Sequence, residues 1–271
     1  MRLIFLIAAA LLFVCLFTAC GSPDTANPAA NNAPKTSGPD SRGEEIIAEY
    51  LKRDAAPFRK IRVRFTIRTE GEPDEIYELD TWRKQTPDTT TTLSQIVKSP
   101  DNTDVASLTI EPKGQKATVV TYASSRNEFR ETDTKKMFFG GLTAGELLGE
   151  WQKYAFRFVG EKEIDGRKIF EVEGKLKPDA DSIAARMTAI FRADNYVPVE
   201  LHLFDNNGRE IRTYRSSEIK DDPAHPYAAK TEADNPIYKA KITIEILARE
   251  FPATIDDSVF SRDRLKQNVR K

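Results

Sequence analysis

A run of strict alternation constrains this chain more than any other feature. In Ile61-Arg62-Val63-Arg64-Phe65-Thr66-Ile67-Arg68, an apolar residue alternates with arginine or threonine. Successive side chains on a strand point to opposite faces, so such a run is a half-buried strand with one apolar face. Gly71-Glu72-Pro73-Asp74 reads as a turn. A second strand follows over 75–83, with Glu78 and Asp80 placed to pair with the arginines opposite. The arginine row reads as a solvated sheet face rather than an anion site.

The same signal recurs along the chain. Strands are predicted at 89–98, 105–111 and 116–123. Tyr154, Phe156 and Phe158 alternate with smaller or charged residues, and Asp165-Gly166 is a hairpin turn before 168–173. A pair at 187–193 and 197–205 surrounds Asp194-Asn195, and Asn207-Gly208 turns the chain into 210–215. Ile242, Ile244 and Ile246 alternate with Lys241, Thr243 and Glu245 in a last strand. Helices are few. Ser41-Arg42-Gly43-Glu44 fits a capping box, with Ser41 as cap, ahead of Ile46, Ile47, Tyr50 and Leu51, and Pro57 lies beyond the helix end. Thr143-Ala144-Gly145-Glu146 is a second capping box, opening a short helix with Leu147, Leu148 and Trp151 on one side. About ten hairpin-linked strands with short helices indicate a mainly β (α+β) fold. Its expected form is a large curved antiparallel sheet with helices packed on one face.

The N-terminal segment carries a different signal. Arg2 precedes an uncharged apolar run over 3–17, then Thr18-Ala19-Cys20. A basic start, an apolar core and a small residue at the cut make a secretory signal peptide over 1–19. A cysteine directly after the small residue matches the bacterial lipobox, here Leu16-Phe17-Thr18-Ala19-Cys20, with Phe17 where Leu, Val or Ile is usual. Cys20 is therefore the expected lipidation site. Cleavage would remove 19 of 271 residues, leaving 252, with Cys15 lost and Cys20 occupied by lipid. No internal disulfide is then available, so an apolar core must hold the fold. Residues 20–42, rich in Pro, Asn, Ala and Ser, read as a flexible tether, with the folded domain over 43–271. Loss of Arg2 leaves 40 basic against 42 acidic residues, a net charge of −2. That balance gives no footprint for nucleic acid. Attachment to a membrane is expected through Cys20. Gly21 and Ser22, in place of aspartate, specify no inner-membrane retention, so the expected location is the outer membrane, facing the periplasm of a two-membrane bacterium.

No residue nominates itself for catalysis, and no cofactor or metal site is expected. The two histidines, His202 and His225, have no cysteine to join them, and both read as surface or loop residues. There is no His-Glu-x-x-His pair, no nucleophile elbow and no phosphate-binding glycine loop. Asp221-Asp222 and Asp256-Asp257 are adjacent pairs whose side chains diverge, which suits capping or loop solvation.

The order of segments resembles the LolA-like superfamily of periplasmic lipid and lipoprotein carriers, in particular the outer-membrane lipoprotein-sorting group. The residues that carry the resemblance are Met137-Phe138-Phe139-Gly140-Gly141-Leu142-Thr143 with Glu146-Leu147, and then a longer set. That set runs through Tyr154 to Phe158, Gly160 to Arg167, Phe191 to Val199, Asp205-Asn206-Asn207-Gly208 and Asp257-Ser258-Val259-Phe260-Ser261. The resemblance implies a half-open β-barrel with a helical lid, and acyl chains of lipid or lipoprotein held in an apolar concavity; enzymatic activity is not expected, since no residue nominates itself for it. It also implies an inner-membrane transporter as a partner. Candidate cavity residues are Val63, Phe65, Ile67, Leu147, Leu148, Trp151, Ile242, Ile244 and Ile246; the same residues would equally serve as closed core. Met137, Phe138, Phe139, Gly140 and Gly141 form a candidate gate loop, with buried phenylalanines as the other reading. One stretch departs from the family pattern. From Lys220 to Asn235 the chain is polar where members have a short aromatic strand, which places one barrel edge in doubt. Related half-barrels also bind partner proteins and detect envelope stress, so a non-transporting scaffold or sensor is the alternative function.

Overall fold

The computed structural model describes residues 39–102, 105–132, 134–135 and 137–267. The signal segment, Cys20 and the tether up to Gly38 lie outside the described residues, as do the side chains of Phe138 and Leu148.

Helix α1 (Pro39–Asp54) leads into six strands: β1 (Phe58–Thr69), β2 (Glu75–Gln85), β3 (Thr89–Lys98), β4 (Val105–Pro112), β5 (Thr118–Ala123) and β6 (Glu128–Thr132). A miniature hairpin follows, β7 (Met137–Phe138) with β8 (Leu142–Thr143), then helix α2 (Ala144–Leu148). Seven more strands complete the sheet: β9 (Tyr154–Ile164), β10 (Arg167–Leu176), β11 (Arg186–Arg192), β12 (Pro198–Phe204), β13 (Glu210–Lys220), β14 (Tyr227–Asn235) and β15 (Ala240–Glu250). Helix α3 (Arg262–Lys266) closes the described chain.

Every main strand pairs with its sequence neighbour, and β1 pairs with β15. The result is one thirteen-stranded antiparallel sheet running β6 to β1, then β15 to β9. It curves into a half-open barrel whose free edges are β6 and β9. The β1/β2 register sets Arg62 against Asp80 and Arg64 against Glu78. Arg62 takes both oxygens of Asp80 at 2.6 and 2.7 Å, as the alternation predicts.

Register also sorts the faces. Val63, Leu79, Ile246 and their period-two mates share the concave face; Arg62, Asp80 and Trp82 share the convex one. On the concave face α1 covers β9–β13 through Ile46, Ile47 and Tyr50, which meet Trp151, Phe156 and Phe191. A second concave cluster centres on Phe65, Ile67, Leu142 and Ile242. The third cluster, Leu93, Leu108, Val120 and Leu265 beside Trp82, lies on the convex face, so α3 packs outside the barrel while α1 packs inside.

Two sequence expectations change here. Ser41 is not the cap of α1, because the helix begins at Pro39. Glu44 is used elsewhere, its carboxylate accepting from the Phe156 N–H at 2.7 Å. A Cβ on Gly43 would stand 2.7 Å from backbone of Arg157, so glycine lets α1 lie directly on the edge strand β9. That covers an edge which would otherwise invite pairing. The polar stretch 220–235 is also not a gap. Its second half is β14, paired with β13 along most of its length and with β15 from Lys230 to Asn235. Its concave side presents Ala229, Thr231, Ala233 and Asn235, too small and polar to register as an apolar stripe.

Candidate functional site: the concave face

The β7–β8 hairpin sits on the concave floor. Phe139 stacks on Phe65 with ring centroids 5.0 Å apart and meets Tyr77 at a tilt, 4.8 Å away. Leu142 is fully buried among Val63, Phe65, Ile67 and Ile242. Gly140 and Gly141 both have left-handed backbone, at φ 66° and 85°. A Cβ on Gly140 would come within 3.0 Å of Ile67 and Ile242, and one on Gly141 within 2.7 Å of Asn235 and Tyr238. Glycine is thus required for close approach as well as for backbone angle.

Side chains from the sheet hold this hairpin down. Arg212 donates to the Gly141 carbonyl at 2.7 Å, and Asn235 donates to the Gly140 carbonyl at 2.8 Å. Arg212 also donates to Glu146 at 2.9 Å, and the Tyr214 hydroxyl donates to the same carboxylate oxygen at 2.8 Å. The second oxygen of Glu146 accepts from the Thr143 N–H while Thr143 caps α2, so the predicted capping box forms. One carboxylate therefore ties α2, the hairpin and β13 together. Burial, reinforced by the Glu146 carboxylate, pushes the Tyr214 hydroxyl far above its usual range, so it remains a donor. Arg212 Nη1 is buried without a partner.

Cavities of about 320 and 250 Å³ open on the concave face. The first lies beside Phe139 and Tyr77 and reaches Thr121, Arg126 and Arg130 on β5 and β6 and the turn between them. The second lies between the C-terminus of α1 and the sheet, against Ile61, Ile246, Arg59 and Arg249.

The sequence candidates distribute as follows. Val63, Phe65, Ile67 and Ile242 form the packed floor under the hairpin, with Ile244 against it. Ile246 lines the second cavity. Trp151 belongs to the cluster under α1, and Leu147 is 42% exposed. Met137 is 46% exposed and its Sδ accepts from the Tyr238 hydroxyl at 2.8 Å. His202 stands between Glu210 at 2.7 Å and Glu200 at 3.2 Å. His225, read from sequence as a loop residue, bonds the Arg53 carbonyl at 2.9 Å and stacks on Phe251. Asp222 and Asp256 accept backbone N–H groups in turns, as their sequence context suggests. The network of Arg212, Tyr214 and Asn235 was not singled out by sequence, because a strand arginine reads as a surface residue.

A family model described as an uncharacterized protein matches residues 88–267, well over half of the chain. The chain belongs to this family. No curated protein matches it. Among solved structures, a DUF1329 family protein from Desulfovibrio piger shares the fold with a TM-score of 0.76 at 15% identity, over 84% of this chain and 99% of that one. A domain assigned as an outer membrane lipoprotein-sorting protein from Vibrio parahaemolyticus does so at 0.76 and 16%, over 84% and 100%. A LolA superfamily protein from Nitrosomonas europaea follows at 0.66 and 10%, over 82% and 99%. The fold is LolA-like, as the segment order implied.

Proposed function

We propose that this protein is an exported, lipid-anchored periplasmic binding protein that takes acyl chains of lipid or lipoprotein on its concave face and carries or accepts them during outer-membrane sorting. The observation that carries the reading is the β7–β8 hairpin. It is made of two two-residue strands, sits on an apolar floor, and is fastened through two glycine carbonyls. So small a paired unit has little stability of its own. Displacing it would uncover Val63, Phe65, Ile67 and Ile242, a surface suited to acyl chains, between the two existing cavities. The names of the Vibrio and Nitrosomonas structures support the same reading through fold alone. The anchor is Cys20.

The reading is of a binding protein rather than an enzyme. A second reading, a partner-binding scaffold, is favoured by one patch. Ile237 (53% exposed), Tyr238 (47%) and Met137 lie together at the β14–β15 turn and the hairpin.

Native mass spectrometry of the full-length protein tests the main reading. The expected spectrum contains co-purified lipid. A protein that is consistently empty and takes up no fluorescent acyl probe would favour the scaffold. Cys20→Ser tests the anchor: the variant should stay unprocessed or partition into the aqueous phase, and normal processing with membrane retention would refute it.

A further inference from the structure

Three guanidinium groups converge on one carboxylate at the second cavity. Arg59 donates to Asp54 at 2.5 Å, Arg83 at 3.1 Å and Arg249 at 3.2 Å. They come from three adjacent strands, β2, β1 and β15, and all project to the concave face. Arg59 and Arg83 are direct cross-strand partners, and Arg249 pairs in register with Ile61. Like charges set opposite each other on a sheet repel, so this arrangement costs stability unless an anion balances it.

The balance is incomplete. Asp54 supplies one negative charge, and the C-terminal end of α1 adds a partial one. The other carboxyl facing Arg83 is Glu111, which burial raises above its ordinary carboxylate range; even with it ionised, three guanidiniums face two carboxylates. Burial pushes Arg83 and Arg249 below the ordinary guanidinium value, and the Arg59 charge pushes both further the same way. Arg249 is only 5% exposed, yet it forms part of the cavity wall. Its other contacts are the His225 carbonyl at 2.9 Å and the faces of Tyr227 and Phe251. The rest of the lining is largely apolar, with Ile61, Val197, Ala228 and Ile246 alongside Ser216 and Thr231. A cationic cluster within a largely apolar cavity fits an amphiphile with an anionic head. Planar guanidiniums grip phosphate oxygens in pairs.

We propose that this cavity is an oxyanion site that takes the phosphate headgroup of a lipid whose acyl chains run along the concave floor toward Val63. The assignment rests on the acyl-binding reading above for the source of the phosphate, but not for the site itself. Arg59 and Arg249 contact the phosphate, Arg83 completes the positive field, and Asp54 screens the guanidiniums from one another and keeps them together when the site is empty.

The test uses the full-length chain in non-ionic detergent, titrated calorimetrically with dihexanoyl phosphatidylglycerol, dihexanoylglycerol and inorganic phosphate. The phosphatidylglycerol should bind at least about tenfold more tightly than either of the others. Arg59→Gln should remove most of that advantage. Arg249→Gln should do the same but is the variant more at risk of unfolding, since Arg249 is buried. Asp54→Asn removes the competing carboxylate and should tighten phosphate binding, which a purely structural cluster would not do. Equal affinity for the two lipids, or no change in Arg59→Gln, would overturn the site. Inorganic phosphate binding as tightly as the lipid, with the same loss in Arg59→Gln, would overturn the headgroup as its source. If only inorganic phosphate binds, the oxyanion site stands and the acyl-chain reading of the concave face falls instead.

Discussion

Replacing Arg212 by alanine should loosen the hairpin and destabilise the whole domain. The Arg212 side chain is 3% exposed and its partner Glu146 7%. The substitution deletes the bonds to Glu146 and to the Gly141 carbonyl, and leaves a buried carboxylate with only the Tyr214 hydroxyl and the Thr143 N–H. Breaking a buried ion pair in this way costs about 3–5 kcal/mol. Arg212 Nη1 has no partner, a standing cost of about 1–3 kcal/mol that the variant relieves. The net expectation is about 2–4 kcal/mol, the pair loss less part of the relieved cost. For a domain of this size that lowers the melting temperature by roughly 5–15 °C. The check is urea unfolding followed by tryptophan fluorescence, since Trp151 is buried under α1. A second variant, Arg212→Ala with Glu146→Gln, removes the stranded charge while glutamine keeps the capping box. It should recover at least about 1 kcal/mol. A single variant costing less than about 1 kcal/mol, or a double no better than the single, would show that the pair does not hold the hairpin.

Other perturbations read different parts of the same face. Phe139→Ala removes the stack on Phe65 and the tilted contact with Tyr77; for a half-buried ring the expected cost is about 2 kcal/mol, below the 3–5 kcal/mol of a fully buried one. Uptake of a fluorescent acyl probe should become faster, and slower uptake would contradict a gating role. Gly141→Ala forces a Cβ to within 2.7 Å of Asn235 at φ 85°, so it should cost more than about 1 kcal/mol in urea unfolding. Glu111→Gln tests the half-buried carboxyl beside Arg83. Because its folded-state value is raised, the stability tied to its proton is full below the unfolded value of about 4.3 and is lost as pH rises through the folded one. The variant should therefore be more stable than the parent at pH 7, with the difference closing below about pH 4. A constant difference across that range would refute the assignment.

Much of the sheet was legible because period-two alternation is a local signal. Thr89–Lys98 is recovered residue for residue, and the Asp165-Gly166 and Asn207-Gly208 hairpins fall where expected. The capping box at Thr143 is equally local and also forms. What failed depended on partners distant in sequence. Gly43-Glu44 looks like half of a capping box, yet its function is to seat a helix on Phe156, more than a hundred residues away. Strand β14 escaped because its inward positions meet hairpin backbone rather than large side chains. Ala233 and Asn235 are buried there, and Asn235 is buried because it bonds the Gly140 carbonyl. A strand that leaves room for a plug must give up the bulky residues that announce a strand.

The same logic explains why the arginine cluster was invisible and why it matters. Along β1 the row that alternates outward, Arg62 and Arg64, is the one that draws the eye, and it is fully explained by Asp80 and Glu78 opposite. Arg59 lies on the other row. Its period-two mates are Ile61, Val63, Phe65 and Ile67, so it continues the apolar inner face with a charge. Arg83 does likewise beyond Leu79 on β2, and Arg249 beyond Ile246 past the bulge on β15. Three neighbouring strands thus break the apolar-inside rule at the same level of the barrel. Folding alone would favour apolar side chains there, since burying guanidiniums costs solvation. Sequences depart from local consistency chiefly where function requires it. The concave face is therefore graded, with an apolar floor beneath a small latched hairpin and a cationic end beneath α1. An apolar cargo alone would use only the first of these, whereas a lipid with an anionic head uses both.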